Sequence, residues 1–199
     1  RPPAAPATRA ARSLGPAVPW SVFFWLVASR FFPVVVVYGK SRLLLDNNAA
    51  SAFLGVLMVG IAAGSLLAGR ISGGRVEYGL IPLGAVALAV QTLLFAWLGP
   101  GVLVANLLML GMGVAGGLIN VPLNALKQWR APDEHRGSVL ALGNILVYAG
   151  ILVGSLSTAW AAGLGLSSEA IMGLTGVAIV AGTVWALWLL PDAFVRLVL

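Results

Sequence analysis

The sequence predicts an all-α polytopic membrane protein with six transmembrane helices, and three observations carry that reading. Of the 199 residues, 60% are hydrophobic and only 9% charged, where a water-soluble domain carries about 25% charged residues. Mean hydropathy is +0.99, so hydrocarbon rather than water is the natural solvent for such a chain. Six stretches reach the roughly 20 apolar residues needed to cross about 30 Å of bilayer core. The cations alternate in the loops, nine on one side of the six-span path against Lys40 and Arg42 on the other, which is the asymmetry that orients membrane proteins.

Residues 1–18 are rich in Pro, Ala and Arg without an apolar period, and read as a flexible basic linker. Residues 19–190 hold the six spans. The first runs from about Pro19 to Tyr38, interrupted by Arg30 and by Pro33, which is expected to kink it. The second covers Ala49 to Ala68, the third Leu80 to Leu98, the fourth Val102 to Leu123, the fifth Ser138 to Ala162 and the sixth Ala170 to Leu190. "DNN" at 46–48 and "SSE" at 167–169 supply capping residues ahead of spans two and six. "GPG" at 99–101 is a tight turn, and "APDE" at 131–134 starts a helix ahead of span five. The charge asymmetry places both ends in the cytoplasm. Residues 191–199 then form a cytoplasmic junction, and the chain reads as part of something longer.

The net charge of +6 does not make a nucleic-acid binder. The cations are few, separated by apolar runs, and form no basic stripe. Cysteine is absent, which removes disulfides, thiolate nucleophiles and zinc knuckles. "VVVVYGKS" ends like a phosphate-binding loop, but Val34 stands where its first glycine is required. His135, the single histidine, sits in a charged loop and reads as solvated. No catalytic residue, cofactor or metal site is expected.

The segment "GSLLAGRISGGR" puts Gly64, Gly69, Arg70, Gly74 and Arg75 in a short elbow between spans two and three. Either these arginines hold topology beside a sharp turn at Gly69, Gly73 and Gly74, or they latch onto neighbouring helix ends. The segment is similar to the loop signature of the major facilitator superfamily: a glycine, a leucine and an Asp-Arg-x-Gly-Arg core. Here Gly69 occupies the aspartate position and the spacing to Arg75 is one residue longer, a degeneracy that points to the C-terminal half of such a transporter. The phrases "YGKSRLLL", "GVLMVGIAAGSLLAGRISGGRVEYGLIPLGA" and "NVPLNALKQWRAPDEHRGSVLALGNIL" resemble the bacterial lysophospholipid transporter branch. That resemblance implies import of lysophospholipids across the inner membrane for reacylation. It also implies an N-terminal six-helix half as partner, and in some members a fused acyltransferase, whose junction "LPDAFVRLVL" resembles. No aspartate follows His135 at the spacing that acyltransferase needs. The resemblance further implies that spans one, two, four and five face a central cavity, with three and six peripheral.

Arg30 lies near the middle of span one, where an arginine costs roughly 2.5–3.5 kcal/mol on insertion scales unless it is partnered or in water. The six acids all fall in loops or at span edges. Arg30 therefore awaits a ligand phosphate, a carboxylate of the other half, or a snorkelling route to water. Asn120, Asn124 and Gln128 recur every four residues on one face of span four, and Asn144 and Tyr148 do so on span five. Such amides either glue helices together or line a polar headgroup path. Arg30, Asn120, Asn124, Asn144 and Tyr148 are the substrate-binding candidates. The pairs Gly60/Gly64, Gly113/Gly117 and Gly150/Gly154 are GxxxG motifs for close helix packing. Two other functions fit parts of the chain: a proton-coupled drug or metabolite exporter, and a bare membrane anchor for a fused acyltransferase. Buried polar residues argue against the anchor.

Overall fold

A computed structural model describes residues 17–73, 77, 79–130 and 136–189. They form six helices: α1 (Ala17–Ser41), α2 (Asn47–Ser72), α3 (Leu80–Leu98), α4 (Val102–Arg130), α5 (Arg136–Gly163) and α6 (Ser168–Leu189). All six are long and apolar enough to cross a membrane, and no strand occurs among the described residues. The helix ends follow the local chemistry. Asp46 caps α2, its Oδ1 accepting from the Ala49 N–H at 2.7 Å, and the Ser167 hydroxyl accepts from the Ala170 N–H at 3.2 Å ahead of α6. Gly73 (φ 51°) and Gly99 (φ 50°) end α2 and α3 in the left-handed region that favours glycine.

Two features differ from the sequence reading. Gly69 and Arg70 are not in the turn; they are helical, in the last part of α2, which is capped by Gly73. Span four does not stop near Leu123 but stays helical to Arg130, so Lys127 belongs to the helix and not to a loop. Pro33 lies inside α1, as the sequence places it. Gly74, Arg75, the "APDE" start with His135, the linker up to residue 16 and the stretch 190–199 lie outside the described residues.

Glycines decide which helices pair. A Cβ on Gly60, Gly64 or Gly113 would overlap backbone of Leu110, Val114 or Leu57, and one on Gly117 would lie 2.5 Å from the Ser65 nitrogen. The GxxxG motifs of α2 and α4 therefore face one another, and the ascending register on both sides makes the pair parallel. The α1/α5 pair is parallel too: Val18 packs on Val139, a Cβ on Gly150 would meet the Val22 carbonyl at 2.9 Å, and Gly154 lies against Leu26 and Ser29. The α3 helix runs antiparallel to both α4 and α6, with Gly84 against Ala115 and Ile119, Gly111 against Gln91, and Gly176 against Leu93. The α1 and α4 helices are antiparallel as well. The Tyr38 hydroxyl donates to the Pro100 carbonyl at 2.6 Å, its ring packs edge-on against Phe95, and Phe24 lies beside Gly116.

Sequence neighbours antiparallel and alternate partners parallel is the pattern of a chain threaded back and forth across one slab. Ser72 and Ser138 then lie at one end of the bundle and Ser41 at the other. Cysteines placed at 72 and 138 are expected to react with a membrane-impermeant thiol reagent from one face only, and a cysteine at 41 from the opposite face. Reaction of positions 41 and 72 from the same face is incompatible with six spans.

Candidate functional site

The α1/α5 seam holds the most polar chemistry in the middle of the bundle. Because Gly154 carries no side chain, the backbones of α1 and α5 meet there, against the Leu26 carbonyl and the Ser29 hydroxyl. One turn further along both helices, Arg30 Nη2 donates to the Ser157 hydroxyl at 2.9 Å. Ser157 in turn donates to the Gly154 carbonyl at 2.7 Å. Arg30 Nε is buried without a partner. The guanidinium is thus tied to the neighbouring helix through one arm and unsatisfied at another.

A groove of about 590 Å³ opens along the same seam. From α1 it is lined by Trp25, Ser29, Phe32 and Pro33, and from α5 by Ile151, Ser155, Thr158 and Ala159, with Ile171 of α6 near one end. Ser29 and Thr158 donate to carbonyls of their own helices, Leu26 at 2.9 Å and Gly154 at 3.0 Å. That satisfies these two hydroxyls internally, and the rest of the wall is mainly apolar.

The candidate residues do not converge on this groove. The buried strip of α5 is Val139, Gly143, Val147, Gly150, Gly154 and Thr158. At 3.6 residues per turn, Asn144, Tyr148, Ser155 and Ala159 fall on one flank of that strip and Ser157 on the other. Arg30 bonds to Ser157 and does not line the groove, so the seam separates it from Asn144 and Tyr148. Those two are exposed, with Tyr148 at 70% of its full accessibility.

On α4, Asn124 Nδ2 donates to both the backbone and side-chain oxygens of Asn120, at 3.0 and 2.9 Å. The amide pair is therefore joined within its own helix and not across helices. Two residues escaped the sequence reading. Ser157 had a signal, the G-x-x-S spacing that puts it one turn from the Gly154 contact. Lys127 is only 6% exposed, and its signal was its distance of one turn from Asn124 and two from Asn120. In the elbow, Gly64 is a packing residue against Val114, while Arg70 is exposed at the end of α2.

The family model described as Major Facilitator Superfamily matches residues 2–155. No curated protein and no solved structure matches the chain.

Proposed function

Because the chain belongs to the major facilitator superfamily, a family of transmembrane transporters, we propose that it moves lysophospholipids across the bacterial inner membrane for reacylation. The six helices are an integral membrane unit that fits half of that fold. In this reading the partner is an N-terminal six-helix half, both ends of the chain are cytoplasmic, and transport proceeds by rocking of the two halves about a midplane site.

The observation that carries the substrate is the α1/α5 groove. Its mainly apolar wall suits an acyl chain, with the hydroxyls of Ser29 and Thr158 turned onto their own helices. Asn144 and Tyr148 continue the same flank of α5 with polar groups that take no hydrogen bond from the described residues. Apolar wall followed by free polar groups fits a single-chain amphiphile with a headgroup better than it fits a small polar metabolite. Arg30 acts here as a positioning residue that holds α1 against α5.

Ala159 is exposed in the groove wall, so Ala159→Phe fills the groove without touching the Gly154 seam. Uptake of lysophosphatidylglycerol into proteoliposomes is expected to fall at least about 10-fold, the effect of losing roughly 1.4 kcal/mol of chain contact, at unchanged yield of folded protein. Unaltered lysophospholipid uptake overturns the substrate. Uptake of a proton-coupled cationic dye by the wild type, with no lysophospholipid uptake, favours the exporter instead.

A further inference from the structure

The α1/α5 groove has a length as well as a width. Trp25 and Val37 both line it from α1, and Ile151 and Ala162 from α5. The two helices are parallel, with Val22 against Gly150 and Leu26 against Gly154. At roughly 1.5 Å of rise per residue the groove therefore follows both helices for about 17–18 Å. Ile151 lies about one turn from Tyr148, which makes the Trp25/Ile151 end the headgroup end.

The other end is formed where α5 passes into α6. Gly165 (φ 81°) is in the left-handed region. The Leu166 N–H donates to the Ala161 carbonyl at 3.2 Å, and the Gly165 N–H to the Ala162 carbonyl at 2.9 Å. This pair of bonds ends α5 and folds the chain back on its last turn, where Leu166 lines the groove. From α6 the same end is lined by Ser168 and Ile171, only 8% and 4% exposed, and Ile171 belongs to the core of the bundle. Close-packed side chains of this kind yield little to an intruding group.

The groove's length sets a chain length. A fully extended backbone advances about 3.3–3.6 Å over the three bonds of a residue, so a stretched hydrocarbon gains about 1.2 Å per bond. About 18 Å of groove then takes roughly 15 bonds, an acyl chain of roughly 16 carbons. The cavity volume of about 590 Å³ falls inside the usual range of small-molecule sites, roughly 300–1,000 Å³.

We propose that the α1/α5 groove selects its lipid by acyl-chain length, fitting roughly 16 carbons, with Leu166 and Ile171 marking where the chain must end. The inference rests on the lysophospholipid reading of the groove and adds chain-length selection to it. A shorter chain leaves the Leu166 end unfilled. A longer one has to displace Leu166 or buckle against it, which is the overpacking that packed interiors resist.

The test is uptake by the full-length protein in proteoliposomes of saturated lysophosphatidylglycerols from about 12 to about 20 carbons, spaced around the length the groove fits. Partitioning of these lipids into the vesicle varies with chain length but is the same for every variant, so a shift in preference between variants is the reading. The wild type is expected to favour the chain of about 16 carbons over that of about 20 by at least about 5-fold, the lower end of overpacking costs. Leu166→Ala opens the end and is expected to move the preference toward longer chains. Leu166 is 38% exposed, so this variant should fold with little change in thermal midpoint. Ala162→Leu adds bulk at an exposed position in the last turn of the groove and is expected to move the preference toward shorter chains. Uptake that does not depend on chain length overturns the proposal alone and leaves the lysophospholipid reading standing. So does a Leu166→Ala or Ala162→Leu profile that keeps the wild-type shape, including one lowered equally at every length. Absence of uptake at all lengths overturns the proposal and the lysophospholipid reading together.

Discussion

Gly64→Ala is expected to remove most of the folded protein, while Gly55→Ala on the same helix is expected to leave yield and thermal midpoint at or slightly above the wild type. The two substitutions add the same methyl group. At Gly64 the new Cβ would collide with the carbonyl oxygen and Cα of Val114 on α4. These are backbone atoms, so no rotamer change relieves the overlap, and α2 must move away from α4. Overpacking of this kind costs about 1–3 kcal/mol where side chains can yield; against backbone the larger figure is the floor. Separation also loosens the contacts of Gly60, Gly113 and Gly117, which share the seam. At Gly55 a Cβ meets nothing within 4 Å, and exchanging a mid-helix glycine for alanine gains roughly 0.5–1 kcal/mol. Size-exclusion yield and melting of the two variants side by side check this. Equal behaviour of the two would show that the GxxxG motifs of α2 and α4 do not set the helix pairing.

The sequence carried the number and order of the helices because hydrocarbon imposes one length on every span and excludes charge from its middle. Span three was legible at both ends for that reason, and the caps at Asp46 and Gly99 were legible because their chemistry is local. The end of α4 was not. Lys127 and Gln128 look like loop residues to a hydropathy count, yet a helix continues past the hydrocarbon as long as its polar residues find donors or water. Gly69 misled for the converse reason: a glycine beside an arginine resembles a turn, but Gly69 is helical, and α2 ends in the left-handed backbone of Gly73. The GxxxG motifs announced close packing without naming partners, since the pairing of α2 with α4 and of α1 with α5 depends on which two seams match in register. The site was least legible. The four-residue spacing of Asn120 and Asn124 placed them on one face correctly, but it could not show that they bond to one another. Nor could a list of polar residues show that the α1/α5 seam divides Arg30 from Asn144 and Tyr148.

Ser157→Ala is expected to destabilise the protein more than Arg30→Met does, and that order separates a structural tie from a direct grip on substrate. Arg30 already has a buried Nε without a partner, and its Nη2 rests on the Ser157 hydroxyl. Removing that hydroxyl strips a partner from a charged group, at a cost of roughly 1.5–3 kcal/mol. Arg30→Met takes away the charge together with its unmet demand, so the fold loses little. Transport should fall by about 10-fold in both single variants, because each breaks the tie that keeps α1 in register with α5 and so shapes the groove between them. The double variant should be no worse in transport than Arg30→Met alone, since two residues that act through one bond are not additive. Arg30→Lys retains a donor that can reach a hydroxyl and should recover part of the activity. If Arg30 instead grips a lipid phosphate through its planar fork, the pattern inverts. Lysine would then fail as badly as methionine, and Ser157→Ala, which frees the guanidinium for its ligand, would leave lysophospholipid affinity intact or tighten it. Melting curves for the wild type and the four variants, measured with lysophosphatidylglycerol binding on the same preparations, decide between the two roles.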